Sequence, residues 1–412
     1  MLRQTRRKEN TVSRTRTLAA SASAALIGAG LLATAPAQAA KSAPDNALHA
    51  LTLNLYLGGS LGDAINAASN IVEFLPAAAK VYDTAIKTDF PLRAQWIAKT
   101  VKKQNPDIIT LNELTEWVAS SSSGATLPSY DYLPLLQDAL KNEGMTFEVA
   151  SLSPNADIGY SDTVGIPYYN AKKPGCDQLF PIEAALRCQV RLKDRDAVLY
   201  NTASTDLQFT GTSDHGNFSK QTTFEVAGSK LSFERGWASA AFTFRGKAVT
   251  VITSHLEVES QDGKGKKGKY GPKNWPSKVQ VAQGKELLKI AKQKAKETDG
   301  RIILAGDLNS DANGYYSPTY RNLTKSYFKD SWKQTGGKFG KAVGATCCQT
   351  GTLKSSKRLD SGDPVIPTRI DLVLTRGGKA VWKKIDGTKL MQKKQPKWQS
   401  DHYFYAAAVR LT

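Results

Sequence analysis

The sequence predicts an α/β fold organised as one domain. Short apolar runs typical of strands alternate with amphipathic helical segments, and no Pro-rich linker or internal repeat separates them. Polar residues suited to chemistry come from both ends of the chain, which two independent domains would not explain. A chain of 412 residues is long enough for one large domain or two ordinary ones, and these observations favour one.

The first 39 residues have the pattern of a secretory signal peptide. Six basic side chains precede an apolar stretch from Leu18 to Leu32, and Ala37-Gln38-Ala39 provides the small residues needed for cleavage after Ala39. A membrane anchor is the alternative, but the stretch is short and is interrupted by Ser and Gly. The sequence therefore predicts a secreted, extracellular protein with a signal peptide over residues 1–39, a flexible lead-in over 40–47 and one folded domain over 48–412.

The chain is strongly basic. It contains 56 Lys and Arg against 37 Asp and Glu, a formal charge of +19, and residues 40–412 retain 50 against 36, a charge of +14. Such an excess favours polyanionic partners, namely nucleic acid, anionic membrane surfaces or extracellular phosphates. Solubility alone is the simpler explanation. Nothing in the sequence indicates an obligate protein partner.

The predicted domain begins with two strands that enclose a helical region. Residues 48–55 alternate between apolar and polar side chains, and residues 107–111 form a short apolar run, both typical of strands. Residues 63–103 between them have helical periodicity with breaks, and the apolar face is clearest in the last turns. A Ser-rich stretch, 120–124, predicts a loop, and residues 135–142 predict a short helix.

From Phe147 onward the pattern changes to short strands and turns around one long helix. That helix is predicted over Lys278–Lys296, where apolar residues recur at helical spacing among lysines. The predicted strands cover residues 147–150, 197–200, 231–233, 237–244, 248–254, 302–305, 370–375 and 405–411.

The four cysteines are expected to be oxidised in an exported chain. Cys176 and Cys188 bracket a short loop and form the most natural pair. Cys347 and Cys348 are adjacent, so they either bond to each other or pair elsewhere. A zinc site is not favoured, because no His lies at zinc-ligand spacing from these cysteines.

Several strand-like runs stop abruptly in polar residues able to bind a metal or carry a proton. Glu113 follows one run, His255 another, and Asp307 and Asn309 a third, while Asp401-His402 precedes the last strand. Carboxylates on rigid elements suit a hard divalent cation, and His is the side chain that exchanges protons near neutral pH. Solvated surface groups are the alternative for each residue alone, and we interpret the other two histidines, His49 and His215, as surface or structural residues. Together the runs predict metal-assisted cleavage of a phosphate ester.

These segments resemble the motifs of the DNase-like endonuclease/exonuclease/phosphatase superfamily, in the order that family has them. The resemblance covers residues 48–412 and implies a four-layer sandwich of two packed, mostly antiparallel or mixed β-sheets flanked by helices. One motif departs slightly from the usual pattern, with Asn112-Glu113 where Gln-Glu is common. The motifs are Thr52-Leu53-Asn54, Leu111-Asn112-Glu113, Ser254-His255-Leu256, Gly306-Asp307-Leu308-Asn309, Arg369-Ile370-Asp371 and Ser400-Asp401-His402.

The resemblance implies a metal site at the start and end of the domain. Glu113 corresponds to the principal Mg²⁺ ligand, with Asn54 and Asp401 beside it. Mn²⁺ or Ca²⁺ would suit the same oxygen donors.

The resemblance also implies catalytic roles for residues around the phosphate. Asp307, helped by Asn309, would activate or orient the attacking water, and Asn309 would also contact the phosphate. His402, oriented by Asp371, would act as a base or a transition-state donor. His255 would be its counterpart across the scissile phosphate. Arg235 resembles a phosphate-contacting residue, and Asp194 or Asp196 could be the acidic partner of His255.

The substrate is less constrained, because one fold serves many phosphoesterases. Two basic stretches, residues 263–270 and 393–398, favour nucleic acid, since clustered lysines bind phosphates and Tyr270 or Trp398 could stack on a base. A phospholipase C or sphingomyelinase acting on anionic or zwitterionic phospholipid is the main alternative. It would need an exposed aromatic or apolar hairpin near the site, and Tyr270, Trp275 and Trp398 could supply part of one. A sugar or inositol phosphatase is a third reading. A role in binding alone is disfavoured because every expected ligand is present.

Overall fold

The computed structural model describes residues 42–161, 163–226, 229–258, 278–312, 318–340, 343–358 and 368–412. The predicted signal peptide and the basic stretch over residues 263–270, with Trp275, lie outside these residues. Residues Ser42–Thr412 pack as one unit. Within the described ranges, none of the helices has the length and apolar character needed to cross a lipid bilayer.

The helices cluster in the first third of this unit and the strands in the rest. The helices are α1 (Gly62–Asn66), α2 (Ile71–Lys87), α3 (Phe90–Gln104), α4 (Tyr132–Asn142), α5 (Ile182–Ala185), α6 (Lys278–Lys294), α7 (Thr319–Thr324) and α8 (Ser331–Gln334), with a 3-10 turn at Ala295–Glu297. The strands are β1 (Leu48–Asn54), β2 (Ile108–Asn112), β3 (Glu116–Ser121), β4 (Tyr130–Asp131), β5 (Phe147–Ile158), β6 (Ile166–Pro167), β7 (Cys188–Asn201), β8 (Leu207–Asn217), β9 (Thr222–Val226), β10 (Ser229–Phe233), β11 (Gly236–Phe244), β12 (Lys247–Ser254), β13 (Ile302–Asp307), β14 (Lys329–Asp330), β15 (Asp371–Arg376), β16 (Gly378–Asp386) and β17 (Phe404–Leu411).

The strands form two large mixed sheets and one small hairpin. The first sheet has the order β16-β17-β1-β2-β7-β3-β4, with β5 and β6 also paired to β7, and the second has the order β14-β15-β13-β12-β11-β8. Each sheet contains one parallel pair at its centre, β1 with β2 and β12 with β13. Strands β9 and β10 pair only with each other.

The layers follow from which face of each sheet is apolar. Inward-facing residues of both sheets, such as Ala50 and Tyr405 of the first and Val251 and Ile303 of the second, form one shared core between the sheets. Helices α2, α3 and α4 cover the outer face of the first sheet, and α6 and α7 cover the outer face of the second. Both faces of β1 are buried along its whole length, as expected for a central strand. The predicted four-layer α/β sandwich is confirmed.

Several local predictions change in the structure. Ser120 and Ser121, predicted in a loop, belong to β3 and pair with Gln189 and Cys188 of β7. Sequence periodicity missed this strand because its outer face is polar. Cys176 is bonded to Cys188, as predicted, and Cys347 to Cys348.

The two remaining histidines differ from each other. His49 lies in the core, edge-on to Trp382 at 4.9 Å between ring centroids, and burial lowers its pKa to about 4. His215 is exposed on β8. His49 is therefore a structural residue.

Candidate active site

Strand register brings the predicted residues to one edge of the sandwich. Asn54 and Asn112 are paired neighbours at the ends of parallel β1 and β2, so Glu113 follows directly beside Asn54. In the second sheet Asp307 lies opposite Asp371 in the antiparallel pair of β13 and β15. Carboxyl ends of central parallel strands commonly form ligand sites in α/β proteins.

The turns after three of these strands have left-handed backbone conformations. Tyr56, Glu113 and Asn309 have φ angles of +61°, +52° and +44°. Such angles cost non-glycine residues roughly 1–3 kcal/mol and concentrate at functional sites. In each case the chain leaves its strand and turns sharply at the edge where the polar side chains gather. Gly306 is required there, because a Cβ would lie 2.4 Å from the Ser254 carbonyl oxygen.

Asn54 links two carboxylates at the centre of this edge. Its amide nitrogen donates to Glu113 Oε1 at 3.1 Å and to Asp307 Oδ2 at 3.0 Å. Its oxygen accepts from the Tyr56 backbone N–H at 2.8 Å; because an N–H can only donate, this contact fixes the orientation of the amide. The predicted role of Asn54 as a metal ligand stays a prediction: its oxygen accepts one hydrogen bond and keeps a second lone pair, while its NH₂ group holds the two carboxylates in place.

Glu113 and Asp401 are the oxygen donors that best suit a divalent cation. Both side chains are half-buried, and Glu113 Oε2 accepts from the Leu57 N–H at 2.6 Å. Burial, together with the charges of Glu113 and Asp307, raises the pKa of Asp401 to about 7 against the opposing effect of His402. The negative charge here is therefore incompletely compensated by the protein, and carboxylate oxygens are what Mg²⁺ and Ca²⁺ prefer. Asp307, Asp371 and His402 also place potential ligand atoms within 4.8 Å of one another, but two of them are committed to a mutual hydrogen bond.

That hydrogen bond joins His402 Nδ1 to Asp371 Oδ2 at 2.7 Å. Burial would lower the pKa of His402, but the carboxylates of Asp371, Asp401 and Asp307 outweigh it and raise that pKa well above its usual value. The imidazole is therefore held as a cation, with Nδ1–H bound to Asp371 and Nε2–H directed at the cleft. The Asp371 carboxylate thus lies where it could orient the imidazole of His402.

His255 has the opposite kind of partner. Its Nδ1 lies 2.7 Å from Nη1 of Arg235, and a guanidinium can only donate, so the imidazole is neutral and its proton is on Nε2. Burial, Arg235 and then His402 lower the pKa of His255 well below its usual value. The predicted acidic partner is not found on the ring: Asp196 accepts from the His255 backbone N–H at 3.1 Å, and Asp194 lies 3.7 Å from Arg235.

Asp307 lies between the two imidazoles. Its Oδ2 is 3.4 Å from His255 Nε2 and 3.8 Å from His402 Nε2. Burial and the neighbouring Asp371 raise the pKa of Asp307 to about 7, with His402 acting in the opposite direction. A carboxylate with a pKa near neutrality can both accept and release a proton under ordinary conditions.

Asn309 and His255 together form a pair of converging donors. The Asn309 side-chain nitrogen lies 3.0 Å from His255 Nε2 and donates its other proton to the Leu256 carbonyl at 2.9 Å. Since Nε2 carries a proton, two donors face each other. An anionic oxygen beside them would accept from both, which is the arrangement needed to stabilise charge on a phosphate.

Two buried polar residues that position the site were given no role by sequence reasoning. Asn112 joins the two sheets, accepting from Asp307 N at 2.8 Å and donating to Asp196 Oδ1 at 2.7 Å. Burial raises the pKa of this Asp196 carboxyl to about 6. Arg93 of α3 is fully buried and donates to the carbonyls of Thr88, Leu55, Tyr56 and Gln399, which fixes the chain on both sides of the candidate metal site. Arg93 interrupts the apolar face of α3, and that interruption is the signal that was available.

The structure corrects the surface prediction for Trp398 and shows what surrounds Arg235. Trp398 is 1% exposed and donates its indole N–H to the Ser355 carbonyl, so it is not available to stack on a base or enter a membrane. Arg235 is 5% exposed, and its guanidinium packs against His255 and the Phe233 ring, 4.6 Å from the ring centroid. Its contact with the catalytic constellation is thus through His255.

Comparisons with known proteins give one family and several similar structures. The sequence profile of the Endonuclease/Exonuclease/phosphatase family matches residues 51–402. A family protein from Leptotrichia buccalis C-1013-b is similar, with 15% identity over 88% of this chain and 99% of its own and a TM-score of 0.48. The Bacteroides thetaiotaomicron mannosyl-6-phosphatase Bt3783 has 14% identity over 88% and 99% and a TM-score of 0.48. D. rerio TDP2 complexed with single strand DNA product has 14% identity over 88% and 98% and a TM-score of 0.44. No curated protein matches the chain.

Proposed function

We propose, from the premise that this chain belongs to the Endonuclease/Exonuclease/phosphatase family, that it is a secreted, Mg²⁺-dependent phosphodiesterase that hydrolyses nucleic acid. Hydrolysis of a phosphoester is the activity of the family. The cation, the diester substrate and the extracellular location are the parts that we add.

One observation carries the proposal: a carboxylate set, a proton acceptor and three donors converge within one cleft. Asp307 Oδ2 is within 4 Å of both imidazole Nε2 atoms, and Asn54 ties it to Glu113. The donors on His255, Asn309 and His402 face the same space. Groups that bind a cation, deprotonate water and stabilise anionic oxygens are the requirements for metal-assisted phosphoester hydrolysis.

The residues of the chain divide the work as follows. Glu113 and Asp401 would hold the cation, which when bound supplies Lewis acidity to a phosphate oxygen. Asp307 accepts the proton of the attacking water, which adds in line to phosphorus while the opposite P–O ester bond breaks, and the leaving oxygen departs and takes a proton from solvent water. Nε2–H of His402 and Nε2–H of His255, with the Asn309 amide, donate to the equatorial oxygens as their charge increases. No covalent bond to the protein forms.

The preference for nucleic acid is supported by charge. Residues 40–412, which remain after cleavage of the signal peptide, carry +14, and such excess positive charge concentrates polyanions near a cleft. The burial of Trp398 removes a surface aromatic that the nucleic-acid reading and the membrane-lipid reading could both have used, so it does not separate them.

A substrate panel tests the activity. Plasmid DNA, RNA, sphingomyelin, phosphatidylcholine and a phosphate monoester are each incubated with Mg²⁺ or with EDTA after metal stripping. We expect cleavage of nucleic acid with Mg²⁺ only, and loss of that cleavage in Asp401→Asn, with Asp214→Asn, an exposed carboxylate on β8, as the matched control. Full turnover in EDTA would exclude the metal mechanism, and preferential turnover of a lipid or monoester would exclude the nuclease.

Secretion has its own test. Protein isolated from culture medium should begin at Ala40, as determined by N-terminal sequencing, if the signal peptide is cleaved after Ala39. Retention of residues 1–39 in cell-associated protein would contradict it.

A further inference from the structure

Two surface loops next to the site carry an unbalanced positive charge. Described residues 343–358 and 387–400 together contain seven Lys and Arg side chains and no Asp or Glu. Like charges on one surface repel each other, so the excess favours a polyanionic partner. We call residues 350–358 and 387–399 the basic platform. Its basic residues are Lys354, Lys357, Arg358, Lys389, Lys393, Lys394 and Lys397.

The two loops are bonded into one unit. The Lys397 N–H donates to the Leu353 carbonyl at 2.8 Å, and Lys389 Nζ donates to the Ser356 carbonyl at 2.7 Å. Trp398 and Leu353 are buried beneath the loops in a small apolar cluster of their own. The Lys389 side chain and the Lys397 backbone thus help to hold the loops together, and the platform has a fixed shape.

The platform is attached directly to the catalytic constellation. The Tyr56 hydroxyl donates to the Gly351 carbonyl, while the Tyr56 N–H donates to Asn54 Oδ1. Immediately before the platform, the Gln349 N–H donates to the Asp401 carbonyl at 2.7 Å. The platform is therefore bonded, at its N-terminal edge, to the residues around Asn54 and Asp401.

The exposed side chains decide which partner fits. Lys354, Lys393 and Lys394 are exposed, whereas Met391, 89% exposed, is the one large apolar side chain that the described platform residues offer to solvent. Membrane binding needs an apolar edge in addition to charge. A row of lysines without that edge suits a polymer of phosphates.

We propose that the basic platform binds backbone phosphates that flank the cleaved bond of a polynucleotide. The inference rests on the proposed nuclease function and extends it, because it makes the enzyme selective for polymeric substrates. A small diester has no flanking phosphate and gains nothing from the platform.

Neutralising the platform tests this directly. The triple variant Lys354→Gln, Lys393→Gln, Lys394→Gln is compared with a matched variant of equal charge, Lys285→Gln, Lys289→Gln, Lys296→Gln, whose lysines are exposed on α6 and the turn after it. Binding of a labelled oligonucleotide of about 20 nucleotides, longer than a typical single-strand site of ~4–16, is measured by anisotropy in EDTA over a range of salt concentrations. The slope of log K against log salt is negative, and losing three phosphate contacts should reduce its magnitude by about 2 to 3.

Four results decide the matter. A reduced slope in the platform variant alone, with unchanged hydrolysis of bis(p-nitrophenyl) phosphate, supports the proposal. An unchanged slope overturns it, even if the protein cleaves DNA. Loss of binding to phosphatidylserine vesicles without loss of oligonucleotide binding overturns it in favour of a membrane. Platform-dependent oligonucleotide binding by a protein that cleaves no nucleic acid with Mg²⁺ supports the platform and refutes the proposed function.

Discussion

The two imidazoles of the cleft lie on either side of Asp307 and yet have opposite partners. On the His402 side, the Nδ1–H donates to Asp371 at 2.7 Å and the pKa is raised. On the His255 side, Nδ1 accepts from Arg235 at 2.7 Å and the pKa is lowered. Both rings present an Nε2–H to the cleft, but only the ring of His402 is charged. The difference teaches that one cleft can hold a cationic and a neutral donor by changing the group behind each ring.

The largest expected effect is the loss of either ring. His402→Ala and His255→Ala should each lower turnover by about 10²- to 10⁴-fold, the range typical of a positioned proton donor or acceptor. Steady-state rates on DNA, with melting temperatures for each variant, measure this. His215→Ala, on exposed β8, is the control. A variant that melts normally and turns over at a near-normal rate would remove that histidine from the mechanism.

The partners behind the rings give a sharper comparison. Asp371→Asn removes the charge that keeps His402 protonated, so the pKa of His402 should fall and the alkaline limb of the pH-rate profile should move to lower pH. Arg235→Met removes the charge that keeps His255 neutral, so the pKa of His255 should rise and the acid limb should move to higher pH. We expect rate losses of about 10²-fold or more for the first and about 10-fold for the second.

Imidazole NMR titration checks the signs independently of rate. The two variants should shift the pKa of their own histidine in opposite directions, with a smaller shift in the other, since the charge of His402 also lowers the pKa of His255. Shifts of the same sign would show that general burial, and not the group behind each ring, sets the protonation of the cleft.

The partners of His402 and His255 also differ in how well the sequence predicted them. Asp371 was found because it belongs to a motif and because its register opposite Asp307 follows from two recognisable strands. The contact of Arg235 with His255 was not predicted. It joins the residue just before β11 to the residue just after β12. Periodicity predicts strands and which of their faces are buried. It does not specify which side chain contacts the Nδ1 atom of a histidine. The same limit explains Arg93, whose four carbonyl acceptors come from three separate segments.

The affinity for a divalent cation should depend on pH because Asp401, next to His402 in the chain, titrates near neutral pH. Asp401, with a pKa raised to about 7, must be ionised to bind a divalent cation, so the rise in melting temperature caused by Mg²⁺ should be larger at pH ~8 than at pH ~6. The sign follows from the raised pKa: the folded, metal-free protein binds a proton that the cation must displace.

Calorimetric scans with and without Mg²⁺ at both values measure this effect. Asp401→Asn should remove both the stabilisation and its pH dependence, and Asp214→Asn should preserve them. An equal Mg²⁺ effect at both pH values in the wild-type protein would show that Asp401 is not a ligand.

The smallest expected effect concerns the bonded cysteines beneath the His402 side. Cys347 pairs with His402 as a β-bridge, and the Tyr403 N–H donates to the Thr346 carbonyl at 2.6 Å, so the segment forms the backing of the catalytic histidine. Replacing both Cys347 and Cys348 by Ser should loosen this backing and lower turnover by about threefold to tenfold, because small misplacements of a catalytic group are costly. The NMR signals of His255 should stay unchanged, since this segment contacts the His402 side.

The control is the double Ser variant of Cys176 and Cys188, a pair that closes a longer loop. Replacing this pair should cost about 3 kcal/mol of stability with little effect on rate. Equal rate losses in the two double variants, or a shift of the His255 signals in the first, would show that the adjacent cysteines act on overall stability and not on the position of His402.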